Sequence, residues 1–446
     1  MKRGHIANSG PTDSVADEAR ETPFRGAPGA AAVPPVTTRR AWAVAALGLV
    51  VAGLYLGYFV WLAAAGRFRP VDFEAFYTGA ALLRDGHGAR LYDLGLQARY
   101  QIELLGRLPL HGNVLPFVSP PHVAVALLPL AYLPLGAAFA AWSLLQLVLV
   151  ACLARECVRP CGTTAERAAV LGALAAFPML LVTLYKGQLS LVVLVSLLAW
   201  IRALGGGRDS VVALALLVGT VKPQMILVPL VITACLRRGR ALAIFAAGGF
   251  LLVLLAAVVA GPSSWVDFLE GTQRLDVNFD HRIVYPASMY NFKGMLVLLL
   301  GVHPALIGAA TRLALLLALV AAGALFWRRG RDDETLPLRF ALALLLGIFF
   351  SLHLYYYDAL LLVAVAVSFD AHLRRFAPGW RPAFLGLAYA VPLLFLEAAR
   401  INLDGRAVRW PAAVMVGWML VLAAELVRTR VRLIAAPARH GHTVTR

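Results

Sequence analysis

The chain contains long runs of apolar residues that a soluble fold could not cover. Residues 41–65 include no charged side chain, and 60% of the 446 residues are hydrophobic, with a mean hydropathy of +0.75. Apolar segments of this length cross a bilayer as helices, in which every backbone hydrogen bond is satisfied internally. The sequence therefore predicts an all-α polytopic membrane protein, a bundle of about 10–13 transmembrane helices.

The run 41–65 is too long and begins too late in the chain to be a signal peptide, so we interpret it as an uncleaved first helix. Further spans are predicted at 135–154, 167–185, 188–203, 209–221, 223–236, 241–260, 304–327, 337–352, 356–373, 383–399 and 408–427. The proline-rich segment 119–133 is too short for a span, and we expect it to be re-entrant or interfacial.

The net charge of +17 is distributed between the spans and does not form one continuous face. The positive-inside rule assigns loops with this pattern to the cytoplasm, and the same pattern argues against nucleic-acid binding. The basic segments are 155–167, 202–208, 237–240, 328–331, 374–381 and 428–446. We predict a disordered cytoplasmic N-terminus at 1–38, a membrane domain at 39–430 and a cytoplasmic tail at 431–446.

The first outer loop, about 66–134, is more ordered than a simple connection requires. Its sequence predicts two amphipathic helices, about 74–85 and 92–106, around the glycine-rich turn 85–88. Two carboxylates, Asp72 and Glu74, open the loop among aromatic residues. One of them could act as a general base whose pKa is raised near the membrane. Alternatively both are solvated and Asp72 caps the following helix.

Polar residues inside or beside a span need an explanation, because a membrane makes charge costly. Lys222 could bind a lipid phosphate, or its ammonium could reach the interface from a helix end. Gln188, at a tight turn, could bind a sugar hydroxyl or cap the turn. His353, Tyr357 and Asp358 suit sugar or phosphate binding, and His353 and Tyr357 share a face if the segment is helical. The other interpretation is an interfacial aromatic belt.

Several familiar sites are missing from the sequence. It has no Walker-type phosphate loop, dinucleotide fingerprint or HExxH motif. Its four cysteines indicate no disulfide framework, and Cys157 and Cys161 lack two further ligands for zinc. No soluble stretch is large enough to bind a nucleotide sugar, so an activated sugar would have to arrive on a lipid.

Several of these features, taken in order, resemble glycosyltransferase family 87, whose members have the GT-C architecture. The resemblance covers about 41–370. Its motifs are 72–77 (DFEAFY), Gly86, Leu91-Tyr92-Asp93, Ser119-Pro120-Pro121, Trp142, Gly187-Gln188, Lys222-Pro223-Gln224, and His353 with Tyr357-Asp358. One departure is Ser119, where the family usually has an aromatic residue.

The resemblance implies a function and a site. It implies transfer of a sugar, typically mannose, from a polyprenyl-phosphate donor to an envelope glycolipid or polysaccharide, outside the cytoplasm of a bacterial cell. By position, Asp72 is the catalytic base of an inverting displacement. The substrate-binding candidates are Glu74, Tyr77, Tyr92, Gln188, Lys222, His353, Tyr357 and Asp358. We expect no cofactor and no essential metal.

Two other classes compete with this interpretation. A multi-pass transporter of a lipid-linked or small polar substrate would also combine many helices with intramembrane charge. It would more often show repeat symmetry, and the sequence has no evident internal repeat. A non-catalytic envelope-assembly protein is the third class, although the intact Asp72 argues against it.

Overall fold

The computed structural model describes residues 38–109, 113–278, 289–327, 334–377, 379 and 410–435, and their regular elements are helices. The first eight α-helices are α1 Thr38–Ala64, α2 Val71–Arg84, α3 Leu94–Leu105, α4 Pro121–Leu127, α5 Leu135–Val158, α6 Thr164–Ala175, α7 Pro178–Lys186 and α8 Ser190–Gly205. The others are α9 Asp209–Gly219, α10 Leu227–Cys235, α11 Gly239–Ala260, α12 Ser263–Asn278, α13 Phe292–Leu300, α14 Pro304–Phe326, α15 Leu336–Phe349, α16 Leu362–Phe376 and α17 Trp410–Ala435.

Six helices in the described part of the chain are long and apolar enough to cross a membrane. They are Thr38–Ala64, Leu135–Val158, Gly239–Ala260, Pro304–Phe326, Tyr356–Phe376 and Trp410–Leu433. The pair α6–α7, bent by 49°, would make a seventh, and five shorter apolar helices lie beside them. The all-α polytopic class is therefore confirmed. The predicted span 383–399, residues 1–37 and the end of the tail from 436 lie outside the described residues.

The first outer loop contains both predicted helices, as α2 and α3. Gly86 adopts a φ of 78° between them, followed by a short 3₁₀ turn at Gly88–Arg90. The expectation that Asp72 caps α2 is wrong, because the helix begins after Pro70 and Asp72 lies within its first turn. Asp93 is a true cap: its carboxylate accepts a hydrogen bond from the Leu96 N–H at 2.9 Å and starts α3.

The short apolar run 292–302 suggests a possible hairpin, but the structure shows a helix there, α13. Asn291 caps its start by accepting a hydrogen bond from the Gly294 N–H at 3.0 Å, and Gly301 ends it with a φ of 76°. A hairpin would need turn residues in the middle of the run, and residues 295–300 are continuously apolar.

The bundle gathers its basic loop ends at one end. Arg202, at the end of α8, pairs with Glu156 of α5. Arg374 of α16 pairs with Glu166 of α6 at 2.9 Å. Since α8 rises 1.5 Å per residue, its first residue, Ser190, lies ~18 Å away along the helix axis. The basic ends therefore meet far from the α7–α8 turn.

A glycine allows the outer loop to approach this α7–α8 turn closely. Gly187 has a φ of 72°, and a Cβ added there would lie 2.7 Å from the Cβ of Phe73 in α2. Trp142 of α5 donates its indole N–H to the Gly187 carbonyl at 2.9 Å, and its ring stacks on Phe73 with centroids 6.2 Å apart. These contacts attach the start of α2 to the turn.

Gly187→Ala should therefore destabilise the protein more than a substitution at an equally left-handed but open glycine. Gly207 is the matched control, with a φ of 71° and nothing within 4 Å of an added Cβ. Gly207→Ala should lower the free energy of unfolding by about 1–2 kcal/mol, because alanine disfavours the left-handed backbone conformation. Gly187→Ala should lower the free energy of unfolding by a further ~1–3 kcal/mol, because the added Cβ forces Phe73 to move. Thermal unfolding in detergent compares the two; equal shifts in Tm would contradict this packing.

Candidate active site

Four interruptions in the helical bundle meet opposite the basic end. They are the start of α2, the α7–α8 turn, the break between α9 and α10, and the 3₁₀ helix Tyr356–Leu361. The break after α9 follows from sequence, because Pro223 disfavours a helical conformation at Lys222, which has φ −132° and ψ 81°. Each interruption carries a charged residue into the same region.

Lys222 and Asp358 form a buried ion pair at this junction. The Lys222 ammonium contacts Asp358 Oδ1 and donates to Ser190 Oγ at 3.1 Å. Ser190 Oγ in turn donates to Asp358 Oδ1 at 2.5 Å, and the Tyr355 N–H donates to Oδ2 at 3.3 Å. The two charged side chains are only 13% and 4% exposed. A buried charge is tolerated when it is paired and hydrogen-bonded in this way.

Asp72 forms a second, looser pair with Lys186. Its Oδ2 lies 3.6 Å from the Lys186 ammonium. This oxygen is buried and accepts no hydrogen bond from any residue that the structure describes. The Lys186 ammonium also lies 5.8 Å from the centre of the Tyr356 ring. Asp72 is thus oriented by a cation while one oxygen retains its capacity to accept a proton or a hydrogen bond.

Adjacent tyrosines connect the two pairs. The rings of Tyr356 and Tyr357 have centroids 5.3 Å apart. Tyr356 faces Lys186, and Tyr357 lies 5.1 Å from the Lys222 ammonium. Two lysines, two carboxylates and two aromatic rings therefore form one continuous polar cluster with no net formal charge. Such a cluster could bind a sugar on its aromatic faces and a phosphate on its ammonium groups.

Glu74 lies on a different face of α2 and has another partner. Its Oε1 accepts a hydrogen bond from Arg107 Nη2 at 2.6 Å. Burial raises the pKa of the Glu74 carboxyl above its usual value, and the attraction of Arg107 opposes this change. The ion pair borders a cavity of about 640 Å³ next to the start of α2.

Tyr77 and Tyr92, two substrate-binding candidates, use their hydroxyl groups to support the loop. Tyr77 donates to the Leu133 carbonyl at 2.7 Å, and Tyr92 donates to the Ser119 carbonyl, also at 2.7 Å. These bonds join α2 and the segment before α3 to the proline-containing segment before α5. The bond to Ser119 uses its backbone, so a serine at this position preserves it.

Gln188 has contacts that stabilise its turn. Its amide oxygen accepts a hydrogen bond from the Leu189 N–H at 3.2 Å, and its backbone N–H donates to Thr183 at 3.0 Å. Gln146 also donates to the Gln188 carbonyl at 3.0 Å. The structure thus contains the turn-capping contacts that were the alternative to sugar binding.

His353 is half-buried in an irregular segment, so the condition for sharing a helix face with Tyr357 is not met. The segment before Tyr356 is not helical, and Leu354 accepts a backbone hydrogen bond from Tyr290 at 2.9 Å. Asp358 closes a capping box with Tyr355, which makes the helix begin at Tyr356. The helical periodicity therefore begins after His353.

Sequence reasoning missed Lys186, Ser190 and Arg107. Lys186 had a signal, because it ends an apolar run directly before the turn glycine, much as Lys222 ends one before a proline. Ser190 and Arg107 had none: their partners, Asp358 and Glu74, are 168 and 33 residues away in sequence.

Comparison with known families supports a single assignment. A model of glycosyltransferase family 87 matches residues 117–354, more than half of the chain. The match includes Gln188, Lys222 and His353; Tyr357 and Asp358 follow its end, and Asp72 precedes its start. No curated protein and no solved structure matches the chain significantly.

The Lys222–Asp358 pair should be important for stability. Asp358→Asn leaves a buried ammonium without its counter-charge, so we expect the free energy of unfolding to fall by about 3–5 kcal/mol. The double variant Lys222→Met/Asp358→Leu should recover much of that loss. Glu334→Gln, in an exposed pair with Arg375, is the control and should change stability by at most ~1 kcal/mol. Unfolding in detergent measures all three; a small effect of Asp358→Asn would contradict the buried pair.

Proposed function

The chain belongs to glycosyltransferase family 87, and from that premise we propose that it transfers mannose from a polyprenyl-phosphate donor to an envelope glycolipid or polysaccharide. The protein is a membrane glycosyltransferase, and the proposal concerns its donor, acceptor and catalytic residues. A lipid-linked donor suits a chain whose recognised motifs lie on and between membrane helices and include no nucleotide-binding motif.

The observation that carries the proposal is the environment of Asp72. Its carboxylate is mostly buried, lies 3.6 Å from a single ammonium group, and has an oxygen to which no described residue donates a hydrogen bond. A general base needs this combination: a fixed orientation and an oxygen available for the incoming proton. The other carboxylate in the cluster, Asp358, already accepts hydrogen bonds from Ser190 and the Tyr355 backbone.

The reaction is a single inverting displacement. Asp72 removes the proton from an acceptor hydroxyl, and the oxygen of that hydroxyl attacks the anomeric carbon of the sugar. The bond between that carbon and the phosphate oxygen breaks, and its electron pair leaves with the polyprenyl phosphate. The proton stays on Asp72 until solvent accepts it.

The two lysines are suited to stabilise the leaving phosphate. Lys222 has three N–H donors, and its contacts with Asp358 and Ser190 use two of them. The third could bind a phosphate oxygen, and Lys186 adds positive charge on the Asp72 side of the cluster. Cations that face developing negative charge lower the barrier to its formation. In this role Asp358 and Ser190 fix the position of Lys222, and Tyr357 offers a ring to the sugar.

The distribution of charge supports an extracytoplasmic site. The basic loop ends would face the cytoplasm, as the positive-inside rule requires, with the polar cluster at the opposite end of the bundle. The enzyme would lie in the bacterial plasma membrane with both termini in the cytoplasm. The donor sugar would then be presented on the outer face, next to the helical loop 66–134.

Asp72→Asn tests the base. In membranes given radiolabelled polyprenyl-phosphate mannose and endogenous acceptors, we expect the variant to transfer label 10²–10⁴-fold more slowly than the wild type, since amides accept protons poorly. Asp85→Asn, at an exposed carboxylate of the same loop that pairs with Arg84, should transfer label at the wild-type rate.

Two results would contradict parts of this proposal. Normal transfer by Asp72→Asn would remove Asp72 from the base role and direct attention to Glu74 or Asp358. If the wild type transferred no sugar from a panel of polyprenyl-phosphate donors, the catalytic proposal as a whole would fail, and uptake assays for a transporter would be the next step.

A further inference from the structure

A cavity lies between the start of α2, the end of α3 and the start of α5. Its volume is about 640 Å³, which is within the range of small-molecule sites. We call its aromatic and aliphatic residues, among them Phe68, Leu135 and Phe139, the apolar wall. Its charged residues, Arg69, Glu74 and Arg107, are the charged wall. The lining residues are Phe68, Arg69, Pro70, Glu74, Leu105, Gly106, Arg107, Leu135, Gly136 and Phe139.

The charged wall contains buried polar atoms that the described part of the protein leaves unsatisfied. Glu74 is 3% exposed, and Arg107 occupies only its Oε1. Its Oε2 and the Arg107 Nη1 are both buried without a hydrogen-bond partner among the described residues. A buried polar atom without a partner is destabilising, so native proteins rarely keep one unless a ligand or water completes it.

The two unsatisfied atoms require opposite kinds of ligand atom. Glu74 Oε2 requires a donor, such as a hydroxyl group, and Arg107 Nη1 requires an acceptor, such as a phosphate oxygen. Arg69 also lines the cavity and interacts electrostatically with Glu74, so the wall has two cations and one anion. Leu135 and Gly136, the first two residues of α5, add the positive end of a long helix. The wall therefore favours an anion that also carries a hydroxyl.

The cavity lies where a membrane lipid presents its headgroup. The candidate span α1 ends at Ala64, four residues before Phe68, and the span α5 begins at Leu135. These ends approximate the boundary between hydrocarbon and headgroups. The apolar wall of Phe68, Leu135 and Phe139 would contact the start of the acyl chains, with the charged wall beyond it.

We propose that this cavity binds the headgroup of a membrane lipid in which a phosphate ester and a free hydroxyl are close neighbours. Arg107 and Arg69 bind the phosphate, and Glu74 accepts the hydroxyl hydrogen bond. Asp72 precedes Glu74 by two residues on the first turn of α2, so the two carboxylates face different sides of that helix end. The bound headgroup and Asp72 would thus lie on different sides of the same helix end.

This lipid site does not depend on the proposed donor and acceptor, so lipid binding can be measured without any sugar transfer. The probe is dihexanoyl-phosphatidylglycerol, a soluble short-chain lipid with a phosphodiester and two hydroxyls. Calorimetric titration into the purified full-length protein in detergent should show saturable binding. Arg107→Gln should weaken it at least tenfold and Arg107→Lys less. Arg90→Gln, in an exposed pair elsewhere on the loop, is the matched control and should leave it unchanged.

Glu74→Gln tests the hydroxyl contact separately. The wild type should prefer dihexanoyl-phosphatidylglycerol to dihexanoyl-phosphatidic acid, which has the phosphate and no hydroxyl. Because the amide of Gln accepts a hydrogen bond more weakly than a carboxylate, Glu74→Gln should reduce that preference. An unchanged preference would overturn the role of Glu74.

Other outcomes would overturn the proposal itself. They are no saturable binding, equal affinity for dihexanoyl-phosphatidylcholine, an affinity for glycerol 3-phosphate as high as for the lipid, or normal binding by Arg107→Gln. If Arg107→Gln does not elute as a folded protein, the lipid comparisons on the wild type and the Arg69→Gln variant still decide the question. Sugar transfer that fails while lipid binding persists would contradict the proposed function and leave the anionic lipid site in place.

Discussion

The pairing of lysines with carboxylates where the helices break is the constraint on which the site depends. Placing one charge in or beside a membrane span is unfavourable, and a paired, hydrogen-bonded charge is far less so. Lys222 therefore requires Asp358 and Ser190 nearby, which brings together the break after α9, the start of α8 and the 3₁₀ helix at Tyr356. Lys186 requires Asp72, which brings the outer loop to the same place.

In the proposed mechanism, the outer loop gives this junction its general base. Glycine at 187 lets Phe73 approach the turn, and Trp142 contacts both, so α2 begins next to Lys186. Tyr77 and Tyr92 attach the loop to the segments that precede α5. A rigid support of this kind suits catalysis, because a general base must hold its position relative to the reacting hydroxyl. One face of α2 thus serves the polar cluster, and the other borders the cavity around Arg107.

Sequence patterns predicted local structure well and long-range pairing poorly. Period and turn residues located α2, α3 and the six long candidate spans, and the cost of charge in a membrane singled out Lys222 and Asp358. The pairing of these two residues, 136 positions apart, depends on how the helices pack. The same limit hid the Glu74–Arg107 pair. Local expectations failed where a cap decided the outcome: Asn291 makes 292–300 helical, and Asp358 starts its helix only after His353.

A structure of the protein with a non-transferable donor, a polyprenyl phosphonate sugar, would test the central claim most directly. We expect the phosphonate to contact Lys186 and Lys222, with the anomeric carbon facing Asp72 so that an attacking oxygen fits about 2.6–3.2 Å from the Asp72 carboxylate. A phosphonate bound away from both lysines, or a sugar whose anomeric carbon is turned away from Asp72, would contradict it.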